Sequence, residues 1–198
     1  MTETYLTIQK QINGIYKEKG SKFLSFALPV KDVEEVKMQL AAYKKEYHDA
    51  RHVCYAYMLG AEREDYRVND DGEPSGTAGR PILGQINSRG LTNVLVVVVR
   101  YFGGVLLGTG GLITAYKAAA SDALEQAEIV EKTVDCNIEV FFEYPSMKIV
   151  MSAIKECQAQ IIRQDFNESC CIKMTVPLAN KSTLCDKLEK VVKRIIIS

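Results

Sequence analysis

The sequence predicts an α+β protein of two domains, on three observations. Strand-like and helix-like segments alternate irregularly, without the repeated βα unit of a parallel sheet. Val94 to Val99 is an almost wholly β-branched run, the pattern of a strand buried on both faces. All 13 glycines precede residue 112, and residues 131–198 contain none. That shift in composition puts a seam near Glu128 to Asp135, where a helical period gives way to an alternating one.

The first domain, residues 1–130, opens with a hairpin. Thr4 to Ile12 and Lys22 to Val30 have strand composition around the turn signals Asn13-Gly14 and Lys19-Gly20-Ser21. Asp32 and Glu35 then have capping-box spacing, which supplies a carboxylate to the free N–H groups of a helix start. Val33, Val36, Leu40, Tyr43 and Tyr47 follow on one helix face. His52 to Leu59 reads as a strand and Gly60 to Arg80 as a polar loop. Pro81 suits the first turn of a short helix and Gly90 its end. The Val94 to Val99 strand, a glycine-rich loop and an alanine-rich helix over Leu112 to Ala127 complete the domain.

The second domain, residues 131–198, is simpler. Val134 to Phe142 is a strand, and Pro145 begins a helix to about Gln158. Ala159 to Phe166 and Cys170 to Pro177 form a strand pair joined at Asn167-Glu168-Ser169. Asn180 to Val192 is a second helix, and Ile195 to Ile197 a last short strand. The order βαββαβ is ferredoxin-like. No candidate site lies in it.

Composition narrows the function. Basic and acidic residues balance at 25 each, with 15 basic and 16 acidic before residue 131. Neither half is a polycation, so loose binding to nucleic acid through many phosphates is not indicated, and no DNA partner is expected. No stretch approaches the roughly 20 apolar residues that span a bilayer, and no signal peptide is evident at the start. A cytoplasmic protein without a membrane partner is expected. The six cysteines have no C-x-x-C spacing and read as free thiols packed as small apolar groups.

Two segments can carry chemistry. The first, Arg67 to Pro81, holds Asp70, Asp71 and Glu73 among glycines, flanked by Arg67 and Arg80. Three carboxylates in four positions repel one another unless solvated, paired or bound to a cation. A magnesium site, a solvated loop, and an anion site on the helix N–H groups near Thr77 to Arg80 are the alternatives. The first lacks the full calcium-loop pattern, so no metal is assigned. The second segment, Arg100 to Leu112, holds five glycines between a buried strand and a helix, a place where backbone amides can approach an anion. It is no P-loop, because Thr109 stands where the lysine belongs. The dinucleotide pattern fails as well, with Ile113 at the third glycine position. No cofactor is predicted. Positive-φ turns and close packing are the structural alternative for these glycines. His48-Asp-Ala-Arg-His52 imitates a zinc-hydrolase motif, but the helical period ends near Tyr47 and the strand begins near His52. Cys54 follows His52 on the same strand face. No catalytic residue is assigned.

Asp70-Asp-Gly-Glu-Pro-Ser-Gly-Thr-Ala-Gly-Arg-Pro-Ile-Leu83 and Val99-Arg-Tyr-Phe-Gly-Gly-Val-Leu-Leu-Gly-Thr-Gly-Gly-Leu112 closely resemble the signature of the IMPACT/YigZ family. His52-Val-Cys-Tyr-Ala-Tyr57 resembles a third block and Gly20-Ser-Lys-Phe23 a looser fourth. The resemblance implies a first domain like ribosomal protein S5 domain 2. It also implies a ferredoxin-like second domain similar to the last domain of elongation factor G. Eukaryotic relatives control translation by competing for a regulator of an initiation-factor kinase, through an extra recognition domain that is not found in this sequence. The expected function is therefore a non-enzymatic, translation-linked binding protein that recognises RNA, the ribosome or a translation regulator through Asp70–Pro81 and Arg100–Gly111. The candidate binding residues are Arg67, Asp70, Asp71, Glu73, Thr77, Arg80, Arg100, Gly103, Gly104, Gly108, Gly110 and Lys117. The two loops should converge on one pocket. A metal-assisted hydrolase of a phosphorylated small molecule and a protein–protein adaptor are the competing readings.

Overall fold

A computed structural model describes residues 2–166 and 170–197. The chain divides into two compact units. One covers Tyr5–Lys132; the other comprises the residues from Thr133 on, together with those before Tyr5. The architecture is mixed α and β throughout.

In the first unit, β2 (Ile12–Glu18), β3 (Ser21–Pro29), β4 (His52–Leu59), β5 (Asp65–Asn69) and β6 (Val94–Tyr101) form a five-stranded sheet of order β2-β3-β6-β4-β5. All four pairings are antiparallel. A separate ladder joins β1 (Thr4–Ile8) to β7 (Ile129–Thr133). The central strand β6 is buried on both faces, as its β-branched run predicts. Val94, Val96 and Val98 pack with α2 (Gly79–Ser88) and α3 (Gly108–Glu125) on one side. Leu95, Val97 and Val99 pack with α1 (Val33–Glu46) on the other. The sheet therefore has an α1 side and an α2/α3 side, and residue parity decides which one a side chain joins.

Three local expectations change. Asn13-Gly14 is no turn; Lys19 and Gly20, both at positive φ, make it instead. Gly14 lies inside β2 under α3, where a Cβ would stand 2.6 Å from the Ala123 nitrogen, so close approach of the helix is what requires glycine there. The polar loop after Gly60 contains the short edge strand β5, whose charged residues mask its strand period. Finally, α3 starts at Gly108, four residues earlier than its apolar period. The Asp32 cap forms as expected, accepting the Glu35 N–H at 2.8 Å, while Glu35 accepts from Lys31 N–H rather than from Asp32.

The second unit runs β8 (Asp135–Phe142), α4 (Met147–Glu156), β9 (Gln160–Phe166), β10 (Cys170–Pro177), α5 (Lys181–Leu188), β11 (Arg194–Ile197). Its antiparallel sheet has the order β11-β8-β10-β9. Ile138, Val140, Phe142, Ile172 and Met174 meet Val150, Ile154, Leu184 and Leu188 in one core. Single 3-10 turns precede both helices, and α5 ends at Leu188, short of the Val192 predicted. The Asn167–Ser169 connection lies outside the described residues.

Candidate functional site

The site grows from strand parity. Arg100 continues the even positions of β6 onto the α2/α3 side, opposite Phe23 on β3 and His52 on β4. Cys54 points the same way, two residues on from His52. Tyr116 of α3 covers this row, and the segment after β5 brings Glu73 into it. Arg100, only 5% exposed, donates from Nη1 to Glu73 Oε1 at 2.6 Å. The Tyr116 hydroxyl donates to the same oxygen at 2.8 Å. Cys54 Sγ lies 3.1 Å from the Asp70 carbonyl and 3.4 Å from the Tyr116 hydroxyl. The Asp71 carbonyl can only accept, so His52 must carry its proton on Nδ1, which donates to it at 2.8 Å. Nε2 of His52 then faces Glu73 Oε1 at 3.7 Å.

The guanidinium of Arg100 lies 5.5 Å from the Phe23 ring centre and 5.7 Å from that of Phe102. Cation–π attraction holds it in place, but Arg100 Nε is buried without a partner among the described residues. Burial, with the neighbouring carboxylates, pushes the Cys54 thiol well up, so it stays protonated and is no nucleophile at neutral pH. Burial also raises the Tyr116 phenol, which therefore remains a hydrogen-bond donor.

The three carboxylates face different donors. Partial burial of Asp70 alone would raise its pKa, but N–H groups from Gly76, Gly79 and Ala78, with Arg80 nearby, outweigh it and hold the carboxyl below the usual carboxylate range. Asp70 thus occupies the N-terminus of α2, the place expected for an external anion. Asp71 accepts Val53 N–H at 2.7 Å and faces Lys44. Glu73 belongs to the buried row. Among the described residues, no cluster of three metal-ligating side chains is present.

A cleft of about 420 Å³ opens beside this row, lined by Arg51, His52, Glu73, Pro74, Arg100, Phe102 and the 106–109 turn with Leu112. Both predicted loops border it. The structure brings Glu73, Arg100 and Gly108 to it and leaves other candidates outside. Arg67 pairs across from Tyr57, on the α1 side of the sheet, because their parity is opposite to that of Arg100. Arg80 and Lys117 are exposed away from the lining, and Thr77 is buried, donating to the Pro74 carbonyl at 2.7 Å. Gly103 packs on the Gly20 turn, where a Cβ would clash with backbone, while Gly104 and Gly108 have positive φ. Gly110 has neither constraint, and open space lies where its Cβ would be. Sequence reasoning missed Tyr116, which looks like any core aromatic of a helix. It weighed His52 and Cys54 only as motif fragments, although their two-residue spacing already put them on one face.

This chain falls within a known class. Residues 19–124 match the Impact N-terminal domain family, and the chain belongs to the IMPACT family. It is 32% identical over 188 residues to the IMPACT family member YigZ of Escherichia coli, covering 94% of this chain and 92% of that protein. It is 49% identical over 107 residues to an IMPACT family member of Thermus thermophilus, covering 54% of this chain and 56% of that protein. A crystal structure described as a hypothetical protein is 32% identical, with a TM-score of 0.77, and the match covers 96% of this chain and 93% of that one.

Proposed function

We propose that this protein is a non-enzymatic, cytoplasmic, translation-linked binding protein whose partner, on the ribosome or among translation regulators, is held at the Arg100 cleft. One observation carries the reading: the cleft is walled by a buried polar row but rimmed by large apolar side chains that face solvent. Leu106 is 84% exposed, Val105 50% and Phe102 48%, on one short turn. Contiguous exposed apolar side chains mark interaction surfaces. Family membership supports the link to translation.

The first unit is read as the S5 domain 2-like domain, residues 1–130, and the second as the ferredoxin-like domain, residues 131–198. For the latter, the βαββαβ order with outer strand β11 beside β8 is the supporting feature. A metal-assisted hydrolase loses its motive, because the Asp70, Asp71 and Glu73 carboxylates each serve separate donors.

Photo-crosslinking tests the reading. A benzophenone amino acid at Leu106, irradiated with purified ribosomes and subunits, should yield defined adducts, whereas the same probe at Arg67 should yield none. Equal labelling from both positions, or none from Leu106, would count against it.

A further inference from the structure

Three features around the cleft point to one ligand chemistry. First, α3 begins without a capping side chain and without an acidic residue in its first turn, and Gly108 and Thr109 of that turn line the cleft. Second, the cleft is bordered by Arg100, whose Nε is buried and unpartnered, and by Arg51. The Glu73 charge is already taken up by Arg100 Nη1 and the Tyr116 hydroxyl, leaving Arg51 and the helix end as the outward positive elements. Third, apart from His52 and Thr109, the remaining side-chain lining is apolar, from Pro74, Phe102, Leu106, Leu107 and Leu112.

We infer that the cleft takes the C-terminal end of a polypeptide, its carboxylate on the α3 N–H groups beside Arg100 and Arg51, and its last, aliphatic side chain against Phe102, Leu106 and Leu112. This rests on the cleft being the binding site. A volume of about 420 Å³ is near the low end of ligand pockets, and suits a chain end better than a length of groove. Carboxylate capture by backbone N–H groups is a known mode of peptide recognition. An RNA segment fits less well. Beside Arg51, His52, Arg100 and Phe102 the cleft presents the aliphatic side chains of Pro74, Leu106, Leu107 and Leu112, which offer a nucleotide neither charge nor a stacking face, and the chain carries no net charge.

The test is amide-resolved NMR on the full chain, with three probes. They are a pentapeptide ending in leucine with a free carboxylate, the same peptide amidated, and a ten-nucleotide oligouridine. The free-acid peptide should shift the Gly108–Gly111 amides, amidation should weaken binding by about tenfold or more, and Arg51→Ala should weaken the free acid, but not the amidated peptide, without lowering the thermal midpoint. Equal binding of the amidated peptide overturns the carboxylate assignment. Shifts at the same amides from oligouridine alone replace the polypeptide with RNA and leave the cleft as the site. If no probe shifts these amides while Leu106 crosslinks to ribosomes, the chain-end inference fails and the binding reading stands.

Discussion

Asp70 shows how a residue that looks like a ligand serves the fold. Its carboxylate gathers three N–H groups at the start of α2, and its pKa is depressed. A depressed folded pKa contributes stability that is complete above the unfolded value, about 4, and is lost as pH falls through the folded one. Asp70→Asn should therefore cost about 2 kcal/mol at pH 7, and the loss relative to wild type should shrink in thermal melts taken down to pH 3. A penalty that does not change with pH would place the effect outside the carboxylate's charge. Glu73 and Arg100 behave differently because both are buried. Glu73→Ala leaves Arg100 charged and unpaired and should destabilise the first unit by about 3–5 kcal/mol. Tyr116→Phe removes a single donor and should cost about 1–2 kcal/mol. Denaturant titration separates the two.

At the scale of elements, glycines in α3 and beneath it make a contrasting pair. Gly14→Ala would drive a methyl group to 2.6 Å from the Ala123 nitrogen, so α3 must shift, at a cost of about 1–3 kcal/mol. Gly110→Ala meets nothing and should leave stability unchanged or raise it by up to about 1 kcal/mol. Paired melting curves decide whether the two glycines differ in kind. The same elements show what the sequence reveals. The β-branched run of β6 declares burial on both faces, and Asp32 declares a helix start, because each signal is local. The edge strand β5 stays hidden, since its side chains are charged and exposed for solvation rather than patterned for a core. The start of α3 stays hidden as well, because glycines that begin a helix read as loop. Likewise, nothing local distinguishes Arg67 from Arg100 as a site residue. Only the strand register, set by pairing far along the chain, puts them on opposite faces.

Across the whole molecule, the first unit packs a core on each side of its sheet and the second unit has one core of its own, and the buried polar row and its cleft belong to the first. Phe142→Ala, which empties the second core, should destabilise that unit by about 3–5 kcal/mol and leave the first unit's unfolding unchanged. Hydrogen exchange resolved by segment would show the loss of protection confined to the second unit. The first unit thus presents its candidate partner surface through the segment 102–107, braced from beneath by an ion pair that solvent hardly reaches. If this segment binds the translation machinery, the protein should co-sediment with purified ribosomes or subunits at low and moderate salt. Wild type and Arg67→Ala should pellet alike, while Val105→Asp/Leu106→Asp, with an unchanged melting temperature, should stay in the supernatant. Failure of the wild type to pellet with any particle, or equal pelleting of the double variant, would rule this binding out.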